Sequence, residues 1–146
     1  MATKKPFRLR TVLRYKQQVE EQRQSEFFRL AQALAEAEAI RTQQQEQHAH
    51  CLRTLSQREH TGVSAAELLT YSAFLEQLSG EISRQTQVIA DLQAEVHQAR
   101  QHLEHAMKDR KVIENLQEWA RITQQQQILK DEERTMAEIA LRRFAC

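Results

Sequence analysis

The chain has 146 residues, of which 21 are Lys or Arg and 20 are Asp or Glu, giving a formal net charge of +1. It is 40% hydrophobic and 28% charged, with 5% aromatics, 2 Gly and 1 Pro. This excludes the basic excess on which broad nucleic-acid binding depends. It also lacks the turn residues of a compact sheet domain, which leaves a long helix or coiled coil as the expected class.

In chain order, Pro6 stands where a first helical turn begins. Lys4, Lys5, Arg8, Arg10, Arg14 and Lys16 precede every acidic residue. They read either as a solvated helix start or as an electrostatic docking site for an acidic partner or membrane. No apolar run approaches a membrane span, and no secretory core follows the basic start. The first helix runs from about residue 7 to about residue 60. Its apolar positions begin as Leu9, then Val12 or Leu13, then Val19. After a register shift they resume as Phe27, Leu30, Leu34 and Ala37, followed by the weaker Gln44, His48, Cys51 and Leu55. Cys51 on the seam suits a reduced compartment, where it acts as a small hydrophobe. The last residue, Cys146, is the other cysteine.

His60-Thr61-Gly62-Val63 is the first break, since Gly62 can take the left-handed conformation that ends a helix. Ser64 reads as the next N-cap and Glu67, three residues on, completes a capping box. The turn is therefore placed at about 61–64 and the second helix at about 65–144. Ser79-Gly80 either interrupts that helix or is carried through it. Alternating steps of three and four give Leu75, Leu78, Ile82, Gln85, Ile89, Leu92, Val96, Ala99, Leu103, Ala106, Arg110, Ile113, Gln117 and Ala120. This coiled-coil repeat keeps one face on a partner helix and passes Gly80 without losing phase.

The expected fold is all-α: a single domain forming an antiparallel two-helix coiled-coil hairpin with a long C-terminal helix. From helix rise alone, about 20 C-terminal residues extend beyond the start of the first helix. A homodimeric coiled-coil scaffold, with helices paired between copies, is the alternative arrangement.

Nothing points to catalysis. There is no Cys-x-x-Cys, phosphate-cradling Gly-rich loop or Gly-x-Ser-x-Gly. His102 and His105 share a helix face with Glu104 and Asp109 nearby, but lack further converging ligands. The chain reads as a non-enzyme with no cofactor and no metal.

Two groups of residues are candidates for partner binding. Tyr71, Phe74, Leu75 and Leu78 follow the turn at helical spacing, either closing the hairpin tip or offering a docking face with Phe74 and Leu78 as anchors. Phe7, Leu9, Val12, Leu13 and Tyr15 at the start, and Leu116, Trp119, Ile122, Ile128, Leu129, Met136, Ile139 and Phe144 at the end, gather at the open end. Trp119 is the best single anchor there, because Trp is enriched in binding hot spots.

The order of four segments resembles the flagellar FliJ family along nearly the whole chain. They are the start Phe7-Arg8-Leu9-Arg10-Thr11-Val12-Leu13-Arg14-Tyr15, the central Tyr71-Ser72-Ala73-Phe74-Leu75-Glu76-Gln77-Leu78, and Lys108 to Leu116 followed by Asp131 to Ala140. The resemblance implies a cytoplasmic component of the flagellar type III export apparatus, peripheral at the inner membrane through its partners. It implies a hairpin similar to the two-helix part of the rotary ATP-synthase gamma subunit, monomeric when free. Its expected partners are the export ATPase hexamer, a membrane export-gate protein and substrate chaperones, with no nucleic acid. Carried onto this chain, Tyr71, Phe74 and Leu78 become the export-gate candidates, and Leu9, Leu13, Leu116 and Trp119 the ATPase candidates. The stalk protein of a virulence-type injection system is the neighbouring alternative.

Overall fold

The computed structural model describes the backbone of residues 4–145 and the side chains of residues 8–145. The expectations attached to the Phe7 side chain and to Cys146 fall outside these. Two helices account for the structure: α1, Lys4–Thr61, and α2, Ala65–Ala145. They pack against one another as an all-helical hairpin, with no strand among the described residues. Pro6 falls in the first turn of α1, where its missing N–H removes no intrahelical bond.

The reversal between α1 and α2 is built from local chemistry. The Thr61 hydroxyl donates to the Arg58 carbonyl at 3.1 Å, satisfying an acceptor at the end of α1. Gly62 then adopts a φ of 102°, the left-handed region that other residues enter only at a cost. Ser64 caps α2: its Oγ accepts the Glu67 amide at 3.2 Å, and its carbonyl accepts the Leu68 amide at 3.0 Å. The expected capping box is only half formed. Instead of returning to the Ser64 amide, the Glu67 carboxylate accepts from Arg58 Nη2 at 2.9 Å and ties α2 back to α1. That bond, with the Glu67 charge, raises the Arg58 pKa above its ordinary value.

Every α2 position of the three-four seam, from Leu75 to Ala120, is buried or half-buried. Gly80 lies inside the unbroken helix and does not interrupt it. On α1, Leu13 rather than Val12 takes the seam position, and the expected register shift does not occur. Steps of four and three lead from Leu9 through Leu13, Lys16, Glu20 and Arg23 to Phe27, and each of these is at least half-buried. The repeat is continuous, but three successive positions of it are charged.

Contacts group the residues into two compact units, each containing a stretch of both helices. The tip unit comprises Gln24–His102. Its core is Leu30, Val96 and Ala99, with Phe27, Leu34 and Leu92 packed against them. Ala37, Cys51, Leu78 and Ile89 are also buried in this unit. Burying a large aliphatic side chain contributes about 1.5–3 kcal/mol, so this row of layers is the main cohesive element of the unit. Two polar seam positions find partners on the facing helix, whereas Gln44 keeps its Oε1 buried without a hydrogen bond. Gln85 donates from Nε2 to the Ala37 carbonyl at 3.0 Å, an approach the small Ala37 side chain permits. His48 Nε2 lies 3.3 Å from Ser79 Oγ. The Arg100 guanidinium stands 5.7 Å over the Phe27 ring.

The second unit comprises Met1–Arg23 and Leu103–Cys146. Among its described residues only Ala106 is fully buried. Its helix contact ends near Ala120; from Arg121 to Ala145 every residue of α2 is exposed.

Candidate functional site

Two surfaces collect the sequence candidates, one in each unit. In the tip unit a shallow groove is lined by Gln47, His50, Cys51, Thr54, Thr70, Tyr71 and Phe74. Both helices contribute to it, because antiparallel pairing sets the last turns of α1 against the first turns of α2. Phe74 is 48% exposed and Tyr71 is half-buried beside it. Leu78, expected as the second anchor of a helical docking face, is only 3% exposed and does not line the groove. The four-residue step from Phe74 crosses from the surface to the seam. The tip candidates therefore divide, with Tyr71 and Phe74 at the surface and Leu78 holding α2 against α1.

In the second unit, Leu116 and Trp119 lie together with Val112, Asn115, Glu118 and Ile122 on the outer face of α2. Spacings of three, four and seven put these side chains on one side of the helix, away from the Ile113, Gln117 and Ala120 seam. Val112, Leu116 and Ile122 are exposed, and Trp119 is 70% exposed. Leu9 and Leu13 are not part of this stripe; they are half-buried seam residues on α1. The open-end candidates thus separate into a surface pair and a seam pair. Val112 was missed by reading the sequence along one seam. A search for a second apolar phase outside that seam finds it, because Val112, Leu116 and Trp119 keep helical spacing among themselves.

Charge surrounds the stripe in a locally paired form. Arg121 donates through Nη2 and Nε to Glu118 at 2.6 and 3.1 Å. That hydrogen bond holds the Glu118 carboxyl below its usual range and raises Arg121. More than two turns earlier, Arg110 donates from Nη1 to Glu114 at 2.6 Å and pairs through Nε with Glu20 of α1. The Glu114 hydrogen bond, with the adjacent Glu20 carboxylate, raises Arg110 against the opposing effect of desolvation. Lys16 reaches Asp109 at 3.6 Å, and His105 Nδ1 stands 3.4 Å from the same carboxylate.

Such surfaces suit binding, because they present apolar side chains on rigid helices with a charged surround. Among the described residues no group of three His, Cys, Asp or Glu side chains converges as a metal site. No described helix is long and apolar enough to cross a membrane.

Comparison with known proteins gives one match. The family model described as flagellar FliJ protein matches residues 4–146. No curated protein and no solved structure matches the chain.

Proposed function

The chain belongs to the FliJ family, and from that membership we propose that it is a coiled-coil stalk whose open end engages the export ATPase ring and whose tip engages the membrane export-gate protein. Membership makes it a flagellar type III export component of a non-enzymatic family. In the proposed role it also assists the handling of substrate chaperones. It works in the cytoplasm as a monomer when free, reaches the inner membrane through its partners, and binds no nucleic acid.

The observation that carries this reading is the exposed stripe of Val112, Leu116, Trp119 and Ile122 on a helix whose other face is already packed. A Trp held at the surface of a rigid helix, beside the Glu118–Arg121 ion pair, has the form of a hot-spot anchor. Leu9 and Leu13 act indirectly, by keeping α1 against the opposite side of that helix. At the tip, Tyr71 and Phe74 supply the contact and Leu78 supports them from the seam.

Binding of the full chain to its cognate export ATPase, measured by surface immobilisation, tests the proposal. The unaltered chain binds, and Trp119→Ala weakens binding roughly 30-fold, as expected for a hot-spot aromatic. Phe74→Ala leaves this interaction intact and weakens capture of the export-gate protein. Failure of the unaltered chain to bind the ATPase would overturn the assignment.

A further inference from the structure

The charged layers of the second unit have a role that the binding surfaces do not explain. Heptad seam positions are ordinarily apolar, because that is where helix pairing gains its free energy. Here α1 places Lys16, Glu20 and Arg23 in three successive seam positions, and α2 answers with Arg110. The Glu20 and Arg110 side chains keep only 19% and 24% of their surface exposed, so the pair is largely taken out of water. Attraction between such charges is substantially offset by the cost of desolvating them, and the pair fixes alignment more than it adds stability. Glu114 holds the second arm of Arg110. The adjacent Lys16–Asp109 contact is more open, at 32% and 40% exposure, and pairs of that kind contribute little and are screened by salt. Ala106 is the only fully buried apolar residue among the described residues of this unit.

We propose that Lys16, Glu20, Asp109, Arg110 and Glu114 form an electrostatic clasp, which lets residues 8–23 of α1 separate from α2 while the tip unit stays paired. The tip unit has the means to remain closed: its apolar layers, the Ser64 cap and the Arg58–Glu67 tie across the turn. Opening the clasp uncovers Ile113 and Ala120, which lie one helix turn or less from Leu116 and Trp119. The apolar surface of α2 then extends around more of the helix and offers a partner a wider grip. Once detached, the α1 segment is too short to stay helical alone, so its amides lose protection. The proposal stands apart from the identity of any partner.

Segment-resolved hydrogen–deuterium exchange on the full chain tests it, at salt concentrations of about 0.05 M and about 1 M, between which the screening length falls several-fold. Amides of residues 8–23 exchange about tenfold faster at high salt, while those of 27–55 change little. Replacing the charged layer by the pair Glu20→Leu and Arg110→Leu slows exchange in 8–23 and reduces the salt response to that of the remaining, more open Lys16–Asp109 contact. The single change Glu20→Ala, which leaves Arg110 with Glu114 on its own helix but no partner on α1, speeds it at both salt levels. Equal exchange of the two segments at both salt concentrations overturns the clasp. So does a salt response that the double Leu substitution leaves undiminished. If that variant self-associates, the salt series on the unaltered chain decides alone.

Discussion

The two units use the same helices and the same repeat, yet their seams differ in kind. The seam of the tip unit carries seven buried residues, Leu30, Ala37, Cys51, Leu78, Ile89, Val96 and Ala99, beside the half-buried polar Gln44, His48 and Gln85. The seam of the second unit sets Lys16, Glu20, Arg23 and Arg110 among half-buried apolar positions such as Leu13, Leu103 and Ile113, and buries only Ala106 among its described residues. An unbroken heptad phase therefore guarantees that two helices face each other, but not how strongly. That strength depends on which side chains occupy the seam, and it is concentrated in the tip unit.

The largest expected effect tests this contrast directly. Ile89, 2% exposed in the tip unit, loses both its transfer free energy and its filled space on truncation. Ile89→Ala costs about 3 kcal/mol. The half-buried Ile113→Ala costs under about 1.5 kcal/mol, because less of the side chain leaves water on folding. Urea unfolding followed by circular dichroism measures both, and equal losses would erase the distinction between the units.

Next in size are the two glycines, which respond to the same substitution with opposite signs. A Cβ at Gly62 meets nothing within 4 Å, so Gly62→Ala is opposed by its φ of 102° alone and costs about 1–2 kcal/mol. A Cβ at Gly80 makes only an ordinary 3.8 Å contact with the Arg84 side chain inside a continuous helix. Gly80→Ala stabilises by about 0.5–1 kcal/mol. Thermal melts with opposite shifts in Tm check the pair. Ser64→Ala follows, with a loss of about 1 kcal/mol from the uncapped start of α2, measured in the same melts.

The smallest effect lies in the second unit and depends on pH. The Arg121 hydrogen bond lowers the folded-state pKa of Glu118. Its contribution is therefore present above the ordinary carboxylate pKa, and disappears as the pH falls through the lowered folded value. The pair is open to solvent, so the effect is slight. Comparing acid unfolding of the unaltered chain with Glu118→Gln isolates it: the variant is the less stable near neutrality, and the two curves converge in acid.

Much of this was legible in the amino-acid order. The α2 seam from Leu75 to Ala120 could be written down from apolar spacing, and the structure shelters each of its positions. The turn was equally plain, because Gly62 and Ser64 act through short-range backbone chemistry. The α1 seam was harder to see. Hydrophobic periodicity cannot register positions held by Lys16, Glu20 and Arg23, and the apparent register shift arose there. Those positions make sense only when the facing Asp109 and Arg110 are known, and helix pairing supplies that information. The candidate surfaces were half legible for a related reason. Spacing put Phe74 and Leu78 on one side of α2, but the seam boundary runs between them. Leu116 and Trp119 were identifiable as apolar and terminal, and their exposure follows from where the α1 contact stops.

One small feature of the tip unit has practical value. Cys51 is a free thiol, 6% exposed in the floor of the Tyr71 groove. With Cys146→Ser in place, an alkylating reagent in solution must wait for the helices to breathe apart before it can reach this sulfur. The labelling half-life then acts as an intrinsic clock for tip separation, readable by mass spectrometry without adding a dye or altering the packed face.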